Sequence, residues 1–243
     1  MKILYLQMRK DEETANEEFS EFVRFSGLSN DDFAILNVFD TPSFDREILD
    51  DHAALFVGGS SDDPDDQAKM NPADFPYIKS CENLILHAYN TNKPTFASCM
   101  GFEIAVWTLG GELIVDHENK EIGTYQIMLT PDGIKDPLFE NTPEVFWAIS
   151  GHKKKAKKLP EGAVNLAKSE LCPIHAFTFP EKPFYAFQFH PEIDRHDLFS
   201  RLSRYLDRGY VDDMESLKKL SKTMKDTKSA NELVKRFVDL FIE

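Results

Sequence analysis

Between Lys2 and Gly111 the chain alternates short β-rich runs with segments whose apolar residues recur at helical spacing, and no other feature restricts its fold so strongly. "KILYLQM" is followed by "ANEEFSEFVRFSGL", "FAILNVFD" by the predicted short helix "SFDREILDD", and "AALFVGG" by "FPYIKSCENLILHAYN". "PTFASC" then runs directly into the helix-like "FEIAVWTLGG". Strands joined by crossover helices pair in parallel and are covered on both faces, so they are apolar almost throughout. The pattern predicts an α/β fold built on a doubly wound, mostly parallel sheet.

From Glu112 to His190 the rhythm changes to short β-like runs, among them "EIGTYQIMLT", "EVFWAIS", "IHAFTF" and "FYAFQFH", separated by Pro, Gly, Asp or Asn. These predict hairpins or a smaller attached sheet. After Glu192 the chain turns helical. Its last segment carries Ser229-x-x-Glu232, which reads as a capping box, followed by the stripe Leu233, Val234, Phe237, Val238 and Phe241. The expectation is one domain over 1–243, with 194–243 as a helical extension packed on it.

Charge and composition limit the partners. Lys and Arg total 28 and Asp and Glu 42, a net charge of −14, which repels nucleic acid. No apolar run approaches the ~18 residues of a membrane span. The first apolar run is too short for a signal peptide, and the three cysteines, Cys81, Cys99 and Cys172, lack metal-like spacing, so a reducing cytoplasm and no metal are expected. The basic tract "HKKKAKK", His152 to Lys158, reads as a solvated loop, or alternatively as a cationic lip for an acidic substrate or partner.

Ligands of a doubly wound sheet sit at the carboxyl ends of its strands. Two predicted strand ends are unusual: "FVGGSSDD", with Gly58 and Gly59, and "FASCMG", with Cys99 between a strand and a helix. A nucleophile on such a corner needs small neighbours, here Ala97 and Gly101, and the helix that follows favours thiolate over thiol. Gly58 and Gly59 offer backbone N–H groups for an oxyanion. Among seven histidines, His190 stands out: it ends the most β-like run, Pro191 stops the strand, and Glu192 is placed to hold the imidazole's second nitrogen. His52, His87, His117, His175 and His196 have no distinguishing context, and His152 adjoins the basic tract. Burial is expected for Cys81 and Cys172.

"FASCMGFE", followed 91 residues after Cys99 by the His190 of "FQFHPE", resembles the triad-type, class I glutamine amidotransferases; with "EIGTYQIMLT" and "KKLPEGAVNLAKSELCPIHAF" the resemblance runs from Lys2 to about Glu192. It is similar to stand-alone proteins like the amidotransferase domain of GMP synthase and to γ-glutamyl peptidases. The resemblance implies a flavodoxin-like core, Cys99 as nucleophile, His190 as acid–base and Glu192 as its orienting carboxylate. Gly59 N–H and Met100 N–H become the oxyanion donors, and no cofactor is required. The substrate is glutamine or a γ-glutamyl compound, with room for a homo-oligomer and for a separate synthase subunit.

Two positions depart from the family's corner, which begins with Gly and ends with Gln where this chain has Ala97 and Glu103. Glu103 replaces an amide donor in the substrate-binding set with a negative charge, so another γ-glutamyl compound or amide is expected to be preferred over glutamine. The alternative is a degenerate, amidotransferase-like protein that binds a ligand or partner without turnover.

Overall fold

The computed structural model describes residues 2–60, 64, 66–204, 206 and 213–242. The alternation read from the first half takes physical form as β1 (Ile3–Met8), α1 (Glu12–Ser26), β2 (Phe33–Asn37), β3 (Ala54–Ser60), α2 (Ile78–Asn90), β4 (Thr95–Ser98) and α3 (Met100–Thr108). Then come β5 (Glu112–Val115), β6 (Glu121–Leu129), β7 (Val145–His152), β8 (Lys154–Lys158), β9 (Val164–Lys168), β10 (Ala176–Phe179) and β11 (Lys182–Phe187). The described residues then form the helices α4 (Arg195–Arg204), α5 (Met214–Thr223) and α6 (Lys228–Phe241). The segment "SFDREILDD" holds only a short 3-10 turn, Arg46–Leu49.

Among the described residues the main sheet has nine strands, in the order β2-β1-β3-β4-β11-β10-β9-β6-β7. Its first five strands are mutually parallel. The hairpin-like runs of the second half continue this sheet antiparallel rather than forming a sheet of their own. The small second sheet is instead the antiparallel pair β5–β8. The α/β architecture expected, with a parallel sheet, a smaller second sheet and C-terminal helices, is present.

Successive strand residues point to opposite faces, and both faces are apolar. Leu4, Leu6, Leu55 and Val57 pack against Leu84 and Ile85 of α2 and Phe102 and Val106 of α3. Ile3, Tyr5, Phe56 and Phe96 face Phe22 of α1 and Leu233, Val234, Phe237 and Val238 of α6. Aromatic rings dominate that second layer: Phe96 lies 4.8 Å from Phe187 and 5.4 Å from Phe237, centroid to centroid. Edge and tilted ring contacts of this kind add to the stabilisation from burial alone. A third cluster joins Leu198 and Leu202 of α4 and Leu217 of α5 to Ile149 and Ile193.

Two expectations are corrected. The basic tract is no loop: it forms β8, hydrogen-bonded to β5, with Lys154 only 1% exposed. Three of its lysines face carboxylates of the same chain, Lys154 with Glu103, Lys155 with Asp116 and Lys157 with Glu112, so most of the tract's charge is directed at the protein itself. The Ser229–Glu232 capping box does not form either. The helix begins two residues earlier than that box requires, at Lys228, with Thr227 as its N-cap, and Asp226 accepts the Lys228 N–H at 2.9 Å. The apolar stripe of α6 is buried as read, with Phe241 partly so.

Candidate active site

The parallel registers fix which strand ends meet. Val57 of β3 pairs with Ala97 of β4, and Ser98 of β4 with Phe187 of β11. Continued past those pairs, the three strands bring Gly59, Cys99 and the Gln188–His190 segment to one carboxyl edge of the sheet. The Cys99 N–H donates to the Phe187 carbonyl at 2.8 Å, locking the corner to the strand that leads to His190.

Cys99 is half-buried and sits at φ 50°, ψ −102°, a backbone conformation costly for any residue with a β-carbon. It is the N-cap of α3, whose first turn begins at Met100. The partial positive charge of a helix N-terminus therefore lies against the sulfur and favours its anionic form. Gly101 is required by packing: a β-carbon there would lie 2.9 Å from Val57 Cβ and 3.0 Å from Val57 O. The other two thiols are fully buried, as expected. Burial and the Glu82 charge push the Cys81 thiol up, and burial and the Glu121 charge push Cys172 up to about 12. Neither is a thiolate near neutral pH.

His190 Nδ1 is 2.6 Å from Glu192 Oε1, with both side chains nearly or fully buried. A carboxylate can only accept, so Nδ1 carries a hydrogen and Nε2 is left for acid–base work. The segment is held from two directions. His190 N–H donates to Ile149 O at 2.8 Å, and Asn231 Nδ2 of α6 donates to Pro191 O at 2.8 Å and Ile193 O at 2.9 Å. Asn231 is buried, and its Oδ1 accepts from Thr227 Oγ1. Nothing in the sequence near Asn231 signals this role, because its partners lie about forty residues away.

The glycine pair serves a purpose the sequence did not disclose. A β-carbon on Gly58 would fall 2.7 Å from Glu18 Oε2, and one on Gly59 would fall 2.5 Å from Arg9 Nη2 and 3.2 Å from His190 Cε1. Both positions are bare so that a buried ion pair can lie against the strand. Arg9 Nε and Nη2 donate to Glu18 Oε1 at 2.9 and 2.7 Å, and Tyr5 Oη donates to Glu18 Oε2 at 2.5 Å. Burial alone would raise the Glu18 carboxyl, but the Arg9 and Arg201 charges and these hydrogen bonds hold it below its usual value. Burial and the Glu18 charge push the Tyr5 hydroxyl well above its ordinary range. The Gly59 N–H, expected as an oxyanion donor, also donates to Glu18 Oε1, at 3.2 Å.

Glu103 is likewise drawn inward. It is 1% exposed, with Lys154 Nζ 3.8 Å from Oε2 and Gln188 Nε2 3.5 Å from Oε1. Its negative charge is thus compensated inside the protein. The tract that looked like solvated lysines supplies the counter-charge, which no local pattern could have revealed.

A family model described as "Glutamine amidotransferase class-I" matches residues 34–198, a span that contains Cys99, His190 and Glu192. The glutamine-hydrolyzing GMP synthase subunit of Methanocaldococcus jannaschii is 34% identical over 118 residues, covering 49% of this chain and 61% of that one. The Pyrococcus abyssi protein of the same name is 27% identical over 153 residues, 63% of this chain and 72% of that one. The alignment thus spans somewhat under two thirds of the first relative's length. Crystal structures of glutamine amidotransferases from Thermotoga maritima (TM-score 0.77, 18% identity, 100% and 98% of the two chains) and Methylobacillus flagellatus (TM-score 0.73, 17% identity, 98% and 94%) share the fold. Among the described residues no helix is long and apolar enough to cross a membrane. With more than half of its length matched by the family model, the chain belongs to the class-I glutamine amidotransferase family.

Proposed function

We propose that this protein is a cysteine-dependent amide hydrolase of that family, acting on glutamine or another γ-glutamyl compound through a γ-glutamyl thioester on Cys99. The observation that carries the reading is the 2.6 Å His190–Glu192 contact, in the segment that follows the strand beside a nucleophile corner whose backbone is held at φ 50°. His190 Nε2 takes the Cys99 thiol proton, Sγ attacks the γ-carbonyl carbon, and the carbonyl electrons move to its oxygen, stabilised by the Met100 N–H at the start of α3. The C–N bond breaks as His190 Nε2 protonates the departing nitrogen, releasing ammonia or an amine. Nε2 then takes a proton from water, the hydroxide adds to the thioester, and glutamate leaves as the Cys99 sulfur recovers its electron pair. Glu192 holds the imidazole tautomer throughout.

Compensation of Glu103 by Lys154 removes a bare negative charge from this region without restoring the amide that the family's pattern has there. That supports a substrate whose γ-glutamyl group is recognised differently from free glutamine. Turnover of glutamine beside a panel of γ-glutamyl peptides, with ammonia and glutamate measured separately and Cys99→Ala as control, tests the reading. Activity unchanged in Cys99→Ala would overturn the chemistry, and a clear preference for free glutamine would overturn the substrate. The curated relatives are named as one subunit of a synthase, which supports a separate synthase partner that receives the ammonia.

The non-catalytic alternative gains from one observation: the Gly59 N–H is already bonded to Glu18. Stoichiometric labelling of Cys99 by a glutamine-analogue electrophile distinguishes the two, since a degenerate site leaves the sulfur unlabelled.

A further inference from the structure

A second group of chemistry-bearing side chains is buried between β6, β7 and the β9–β10 connection. Glu121, Cys172 and His175 are fully buried and His152 is 4% exposed. One donor atom from each of His152, Cys172 and His175 lies within 4.8 Å of the other two. His152 Nδ1 is 2.7 Å from the Lys154 carbonyl oxygen, which can only accept, so Nδ1 carries a hydrogen and Nε2 is the ring nitrogen turned toward the cluster. Nε2 lies 3.2 Å from Glu121 Oε2, within hydrogen-bond reach. His175 Nε2 stands 2.9 Å from the same oxygen, and among the described residues neither of its ring nitrogens meets hydrogen-bond geometry. Four side chains that can ligate a metal thus converge in a dry interior.

We propose that Glu121, His152, Cys172 and His175 form a binding site for one divalent cation of zinc type. Two imidazoles, a thiolate and a carboxylate are the borderline-soft donor set that zinc takes, at roughly 2.0–2.3 Å from the metal and therefore roughly 3.3–3.8 Å from one another in a tetrahedron. The Glu121–imidazole separations are already near that spacing. Charge closes as well: Glu121 and the Cys172 thiolate offset a dipositive ion, leaving a neutral cluster in the interior. Cys172 Sγ now donates to Ile174 O at 3.3 Å; binding exchanges that proton for the metal and releases it to solvent. Outer partners are in place: Lys154 O holds the His152 tautomer, and Ser169 Oγ donates to Glu121 Oε1 at 2.5 Å while accepting the Cys172 N–H at 2.9 Å.

The sequence signal was Cys172-Pro-Ile-His175, a Cys-x-x-His spacing that counting cysteines alone overlooks. His152 directly follows Gly151, where an added β-carbon would sit 4.0 Å from His190 Nε2, so the ion would stiffen the strand that backs the acid–base histidine. The full chain, purified and then reloaded with zinc after chelator treatment, should hold about one zinc per molecule. Cys172→Ser and His175→Gln should hold less than a tenth of that. Cobalt in place of zinc should give a thiolate-to-cobalt charge-transfer band in the wild type that is lost in Cys172→Ser. Where a variant fails to fold, the wild type alone decides: one equivalent of zinc, and not magnesium, should raise its melting temperature by several degrees. A wild type that takes up no zinc and melts unchanged, or a cobalt spectrum indifferent to Cys172→Ser, overturns the proposal.

Discussion

Gly101→Ala is the most direct probe of how the corner holds Cys99. The new methyl would lie 2.9 Å from both Val57 Cβ and Cγ1 and 3.0 Å from Val57 O, against the roughly 3.5–4.0 Å at which carbon atoms rest. Three contacts short by roughly half an ångström or more cannot be relieved by a rotamer change, because two of the atoms are a backbone oxygen and a β-carbon. Helix α3 must lift from β3, at a cost of about 1–3 kcal/mol. For a chain of this size that lowers the melting temperature by about 2–10 °C. Because Cys99 caps the same helix, its sulfur moves too, and a displacement approaching 1 Å costs about 10²-fold in turnover. Gly110→Ala is the control: φ is +95°, nothing lies within 4 Å of the new methyl, and only backbone strain of roughly 1–2 kcal/mol is incurred. Calorimetry and steady-state turnover on both variants check the reasoning. It fails if Gly101→Ala turns over at the wild-type rate, or if Gly110→Ala loses as much activity. Val57→Ala removes Cγ1 but leaves the other two clashes, so it should rescue Gly101→Ala only in part.

Asn231→Ala should lower kcat by about tenfold or more with a smaller change in KM, because it frees Pro191 O and Ile193 O and loosens the strand that carries His190; equal activity at equal stability would show that α6 holds nothing. Lys154→Met leaves Glu103 charged and buried and should destabilise by about 3–5 kcal/mol, most of it recovered in the Glu103→Gln/Lys154→Met double variant; additive losses in denaturant titrations would deny the coupling. The folded-state value of Glu18 lies below its ordinary 4.5, so its contribution to stability is fully present above that pH and is lost as pH falls through it toward the folded value. Urea titrations from pH 7 to pH 3 should therefore show the gap between wild type and Glu18→Gln narrowing below about pH 4.5; a constant gap would mean that Glu18 folds protonated.

What the sequence disclosed was whatever is encoded locally. The apolar runs of β1, β3 and β4 announce a buried parallel sheet, and Cys99 is flagged by the strand–helix junction around it. His190, Pro191 and Glu192 are neighbours, so their contact is written into three consecutive residues. The residues that escaped notice depend on partners distant in the chain. Lys154 looks solvated until β8 pairs with β5 and meets Glu103. Gly58 and Gly59 read as an oxyanion loop because nothing in their own stretch foretells a carboxylate arriving from α1. His152 stands far in the chain from Cys172 and His175, and only the β6–β7 and β6–β9 pairings bring it and them to the Glu121 carboxylate.

The dihedral angles of Cys99 carry one last implication. Replacing this cysteine with glycine would abolish any reaction at the sulfur and, by releasing a conformation that side chains resist, ought to yield a protein harder to unfold than the natural one. Chemistry and comfort compete at a single α-carbon here, and an inert variant with a raised melting temperature would be that competition made visible.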